Sequence, residues 1–218
     1  MLNGIAHIVW NAALAALAVA LALALVRVAR AHRERGDRLL AAPLVALAVT
    51  WLLFLPNTCY LFTEVRHLFE AIETRELWSR ASSSSSARFS LAARGLVAVL
   101  YAAIGALTFG LAIRPVRELA EERGLRTTWA LPLFFVIVAL GVYLGLVLRL
   151  NSWDAAMRPA RVVDGVLGVT TSGPRRFAAL VLSGLSLWAV YAVVDVWLDG
   201  ATLRLERFAG WARVRLRR

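Results

Sequence analysis

Five apolar runs, each free of Asp, Glu, Lys and Arg, constrain this 218-residue chain more than any other feature. They cover residues 5–26, 39–63, 95–113, 127–148 and 177–194. A helix needs ~20 apolar residues to cross ~30 Å of hydrocarbon, because each residue advances it by only ~1.5 Å. The first four runs reach that length or come within a residue of it. The fifth needs Asp195-Val196-Trp197-Leu198 to finish its crossing. A single soluble core of this size cannot bury five such helices. The expected fold is therefore all-α: one membrane domain of about five transmembrane helices, with spans at about 5–26, 39–63, 95–113, 127–148 and 177–198. Composition agrees, with 60% hydrophobic residues and only 18% charged, where a soluble domain carries about a quarter charged.

The formal net charge is +11, and every basic residue is Arg. Nucleic-acid binding is the usual suspicion for a basic chain. Here the Arg residues flank the apolar runs, where anionic lipid on the cytoplasmic side attracts them. The bilayer is thus the expected partner, and nucleic acid is not. No basic residue precedes the first run, and its apolar part exceeds the ~7–15 residues of a signal peptide. It reads as a retained span. Five Arg follow it between Arg27 and Arg38, four lie between Arg114 and Arg126, and six follow Asp199. Those three segments share one side. The two longer segments on the other side, 64–94 and 149–176, hold five each. The bias places the N-terminus outside and the C-terminus in the cytoplasm of a cell (inner) membrane.

Between the runs, Leu61, Val65, Leu68, Phe69 and Ile72 recur at helical spacing. They predict an outer amphipathic segment over 64–78. The Ser-rich stretch 79–90 reads as a flexible loop. Pro115 and Gly124 suggest a short helix of its own on the inner side. The basic tail 199–218 suits an inner-leaflet helix. Segment 159–174 has no clear period. Ala12, Ala16, Ala20 and Ala24 form one small-residue stripe, and Gly141 with Gly145 another. Such stripes let helices approach closely.

Two polar clusters close the second and fourth runs, so both emerge on one side, the outer one. In the first, Pro56 removes a backbone donor and kinks the helix. If the helix resumes, Asn57, Tyr60, Glu64 and His67 share one stripe. Asn57 offers a donor and an acceptor, Glu64 a base, and His67 a proton carrier. Glu64-x-x-His67 has the spacing of the metal-binding pair in di-iron bundles, but those need two pairs, and one is present. No metal site and no cofactor is expected. The plainer reading gives Asn57 the backbone freed by Pro56 and Tyr60 an interfacial anchor role. In the second cluster, Arg149, Asn151, Trp153 and Asp154 stand together. Asn151 can cap a short helix, with Asp154 at its positive end. Trp153 suits the headgroup level, and Arg149 can hold an anionic head group. Lone Cys59 reads as a packing residue. Asp195, near the inner end of the fifth run, calls for snorkelling or an inner partner.

These strings carry a resemblance. Leu55-Pro56-Asn57…Tyr60…Thr63-Glu64…His67-Leu68, joined with Gly141…Tyr143-Leu144-Gly145…Arg149-Leu150-Asn151-Ser152-Trp153-Asp154, resembles the DUF1361 family of bacterial multi-pass membrane proteins. The likeness runs from the second span to the fifth. This chain departs from the family pattern at Thr58-Cys59 (Ala-Pro), Glu64 (Asp) and Leu150 (an aromatic). The longer arm of Glu64 weakens any fixed-geometry metal site. The resemblance implies a multi-pass membrane protein and carries no activity with it.

Three functions compete. The first is an outward-facing polar site, lined by Asn57, Tyr60, Glu64, His67, Arg149, Asn151, Trp153 and Asp154, that binds an envelope lipid head group or lipid-linked component. The second is a structural or accessory subunit that docks a membrane partner. The third is a transporter, disfavoured by the lack of internal repeats and midplane charge. No catalytic signature is present: there is no phosphate-cradling Gly loop, nucleophile elbow or His-Glu-x-x-His.

Overall fold

The computed structural model describes residues 2–36, 41–63, 75–171 and 173–215. Among the described residues there are helices and no strands. In chain order they are α1 (Leu2–Arg35), α2 (Ala41–Phe54), α3 (Pro56–Thr63), α4 (Arg75–Ser83), α5 (Ser85–Glu122), α6 (Thr127–Leu146), α7 (Asp154–Met157), α8 (Pro159–Thr171) and α9 (Pro174–Arg215). Among the described residues five segments are long and apolar enough to cross a membrane: α1, α2 running into α3, α5, α6 and α9. The all-α expectation of five spans therefore holds. Leu96, Val97, Leu100, Leu133, Ile137, Val193 and Val196 lie exposed on these helices. So much outward apolar surface suits lipid rather than water.

The core is a thin seam between the long helices. α5 packs on α1, α3 and α9, and α6 packs mainly on α9 and α3. Phe109, Phe135, Leu55 and Ile113 are fully buried along this seam. Phe135 lies between Phe109 and Tyr191, with ring centroids 5.7 and 5.4 Å away. Trp51 stacks on Phe134 at 5.8 Å. Its indole N–H donates to the Ala112 carbonyl at 3.0 Å, which gives a buried Trp the polar partner it needs. On α1 the buried stripe is Ala15, Ala18, Ala22, Leu25 and Ala29. The stripe of Ala12, Ala16, Ala20 and Ala24 is only partly covered.

Several segment boundaries differ from those expected. Pro115 does not open a separate helix but sits inside α5, which runs on to Glu122. The Arg114–Glu118 pair at 2.8 Å spans the turn around it, and Gly124 at φ +76° then ends the run. The Ser-rich stretch is not a loop, since only Ser84 leaves the helical conformation. Ser82 and Ser83 donate back to the Ser79 carbonyl at 2.6 and 3.2 Å, so their hydroxyls are satisfied within the helix. Segment 159–171 is helix α8, opened by Pro159 at the position where its missing N–H costs nothing. The basic tail continues α9 without a break as far as Arg215, the last described residue. Gly200 alone costs a helix only about 1 kcal/mol. The amphipathic segment expected at 64–78 falls largely outside the described residues, which resume with α4.

Candidate functional site at the kink

The site begins with a break in a transmembrane helix. Leu55 still bonds back to Trp51, at 2.9 Å. Pro56 has no N–H, so the helical ladder is interrupted there, and α3 begins at Pro56 after the break at Leu55. Carbonyls near such a break lose their helical donors, and within lipid they must find others. Three side chains donate to carbonyls beside this break, where the Leu55 carbonyl also accepts the Thr58 backbone N–H at 3.1 Å. Thr58 donates its hydroxyl to the Leu55 carbonyl at 2.7 Å. Asn57 donates from Nδ2 to the Phe54 carbonyl at 2.9 Å. Ser152, 99 residues downstream of Leu53, donates to the Leu53 carbonyl at 2.8 Å. The second Asn57 amide hydrogen goes to Ser152 Oγ at 3.1 Å. The two polar clusters therefore meet, and this latch ties the kink to the segment beyond α6.

That segment is folded by its own short-range bonds. After α6 the chain turns at Arg149, whose φ of +54° is unusual for a residue with a side chain. Leu150 donates back to the Leu144 carbonyl at 3.0 Å. Asp154 and Asn151 then bond reciprocally: Asn151 N–H to Asp154 Oδ2 at 2.7 Å, and Asp154 N–H to the Asn151 carbonyl at 2.9 Å. Asp154 is buried and opens α7. The residue at the cap position is Trp153, not Asn151, and it makes no side-chain capping bond. This tight turn presents Ser152 to the kink.

The fit between α3 and α6 depends on two glycines. A Cβ on Gly141 would stand 2.6 Å from Pro56 Cγ, and one on Gly145 would overlap the Tyr60 hydroxyl. Beside this contact lies a cavity of about 180 Å³. Tyr60, Asn151 and Ser152 supply its polar lining, and Leu52, Leu140, Leu144 and Val162 its apolar lining.

The expected site residues thus separate. Tyr60 and Asn151 line the cavity. Asn57 forms the latch, and Asp154 closes the turn. Arg149 and Trp153 lie exposed at the rim of that turn. Glu64 and His67 lie outside the described residues. Among the described residues no group of His, Cys, Asp and Glu is placed to hold a metal.

The family is now decided by comparison: the model for proteins of unknown function DUF1361 matches residues 10–190. The chain belongs to the DUF1361 family. No curated protein and no solved structure matches it. Both polar clusters of this DUF1361 protein fall inside the matched region.

A second polar centre lies at the opposite end of the bundle. Arg117 Nη1 pairs with Asp195 Oδ2 at 2.8 Å, and Arg114 Nη2 with Asp199 Oδ1 at 2.6 Å. Arg114 Nη1 lies 3.8 Å from Asp195 Oδ1. The Arg117 guanidinium sits 5.9 Å from the centre of the Tyr191 ring. Asp195 thus has ion-pair partners on α5 rather than snorkelling alone. The signal was in the spacing: Arg114 and Arg117 share one face of α5, and Asp195 and Asp199 one face of α9. Nothing in the spacing says that those two faces meet.

Proposed function

We propose that the kink end of this membrane protein faces outward and binds an envelope lipid or lipid-linked component beside Pro56. The observation that carries the reading is the cavity between α3 and α6. Its polar lining comes from both clusters, and the rest is aliphatic. An amphiphile presents that same pairing of a polar part and a chain. At about 180 Å³ the cavity is smaller than the ~300–1,000 Å³ that hold a whole drug-sized ligand. It would seat one segment of the molecule, with Tyr60 and Asn151 as its polar contacts. Arg149 and Trp153 at the rim suit an anionic head group and the headgroup layer. The outward orientation is supported by the gathering of Arg-rich segments at the other end.

A second reading has its own support. The donors of Asn57 and Ser152 are committed to backbone carbonyls and to each other. That suits a structural latch in an accessory subunit. Lipid analysis of the purified protein separates the two. On the binding reading, Tyr60→Phe with Asn151→Ala loses a co-purifying lipid while the melting temperature holds. If lipid content and cell phenotype both match the parent, the binding reading fails. On the latch reading, Asn57→Ala lowers the melting temperature and leaves bound lipid unchanged.

A further inference from the structure

A larger cleft opens on another face of α6, away from the kink. Its apolar limb, about 530 Å³, runs between α6 and α9 and is walled by Ala139, Val142, Leu146, Leu180 and Leu187. Ser183 and Ser186 also face it. Their hydroxyls donate to the Ala179 and Leu182 carbonyls of their own helix, at 2.8 and 2.9 Å. The limb therefore offers an incoming molecule little but hydrocarbon contact. A second, more polar limb of about 490 Å³ lies under α8, and Tyr143 and Arg176 line both. Arg161 and Asp164 line the polar limb. Among the described residues neither Arg161 nor Asp164 forms an ion pair.

Charge and length together select an occupant. Two guanidinium groups against one carboxylate favour an anion at the mouth, and Arg is well suited to phosphate. From Arg176 down α9 to Leu187 the limb descends about 16 Å at ~1.5 Å per residue, close to half of a ~30 Å hydrocarbon core. One leaflet's acyl chain has that reach. We propose that this cleft is a binding site for an anionic phospholipid. The phosphate lies between Arg161 and Arg176, and one acyl chain lies in the groove between α6 and α9. The site is separate from the cavity beside Pro56 and does not depend on the function proposed there.

Native mass spectrometry of the full chain in mild detergent tests this, with dioleoyl phosphatidylglycerol and dioleoyl phosphatidylcholine as probes. The parent should bind one phosphatidylglycerol roughly tenfold more tightly than phosphatidylcholine, the scale expected for a small net positive charge near a lipid surface. Arg161→Gln with Arg176→Gln, both on exposed side chains, should abolish that preference. Ser183→Phe, which fills the apolar limb, should weaken phosphatidylglycerol while the Arg residues remain. Millimolar inorganic phosphate should not displace the lipid. Equal affinity for the two lipids in the parent overturns the proposal, as does a preference that survives the double substitution. Full displacement by phosphate also overturns it, by reducing the cleft to an anion site. Tyr60→Phe with Asn151→Ala should leave this preference intact, so failure at one site is read apart from failure at the other.

Discussion

Gly145 and Tyr60 meet so closely that no side chain fits between them. A Cβ at Gly145 would occupy the space of the Tyr60 hydroxyl. The neighbouring pair, Gly141 and Pro56, is almost as tight at 2.6 Å. Glycine is required here for its lack of volume, since both positions are ordinary helix. Gly145→Ala should therefore destabilise the protein by about 1–3 kcal/mol, the cost of overpacking a fitted contact. Removing the obstructing oxygen should return part of the loss, so the double variant Gly145→Ala, Tyr60→Phe should melt above Gly145→Ala alone. Thermal unfolding in detergent measures both. If the double variant melts no higher, the hydroxyl is not what fills the space. The latch obeys a different rule, since its value lies in side-chain donors that reach backbone carbonyls beside the break. Asn57 was legible as the group that satisfies backbone freed by Pro56, because donor and acceptor lie three residues apart. Ser152 was not legible in that role: its acceptor, the Leu53 carbonyl, is identified only when the two segments are brought together.

At the scale of elements, charge and hydropathy reveal spans better than they reveal ends. The five crossings were legible because a charge-free run of ~20 residues has few other fates. The ends were harder to read because Pro and Ser stop a helix less readily than their reputation suggests. Pro115 stays inside α5, and the serines close onto carbonyls one turn back. The ion cluster joining α5 to α9 was legible only as two separate faces. Its energetics now follow from exposure. The Asp195 side chain is 13% exposed and the Arg117 side chain 21%, whereas Asp199 is 56% exposed. Arg114 Nη1 and Arg117 Nε are already buried without hydrogen-bond partners, so the cluster has little spare compensation. Asp195→Asn should cost about 2–3 kcal/mol, approaching the penalty for stranding a buried charge. Asp199→Asn should cost less than about 1 kcal/mol, as exposed pairs do. Equal shifts in melting temperature for the two variants would remove Asp195 from its central place.

At the scale of the whole molecule, the distribution of Arg acquires a geometry. Arg30 pairs with Glu122 at 2.7 Å, and Arg123 donates to the Ala29 carbonyl at 3.3 Å. Those contacts put the C-terminal end of α1 and the end of α5 at one end of the bundle. The Arg114–Asp199 pair brings the middle of α9, where its basic half begins, to the same end. The three Arg-rich segments thus gather opposite the kink. A bundle with most of its Arg at one end, and in its shorter segments, has a preferred orientation, because short basic flanks are retained in the cytoplasm. The end carrying Ser84, the kink and the lipid cleft should then face outward, and the turn at Leu125 should face the cytoplasm. Single cysteines at these two exposed positions, in a Cys59→Ser background, make this measurable. Ser84→Cys should react with a membrane-impermeant maleimide in intact cells, while Leu125→Cys should react only after the membrane is permeabilised. Labelling of Leu125→Cys from outside would invert the molecule and would place the kink cavity and the lipid cleft on the cytoplasmic side.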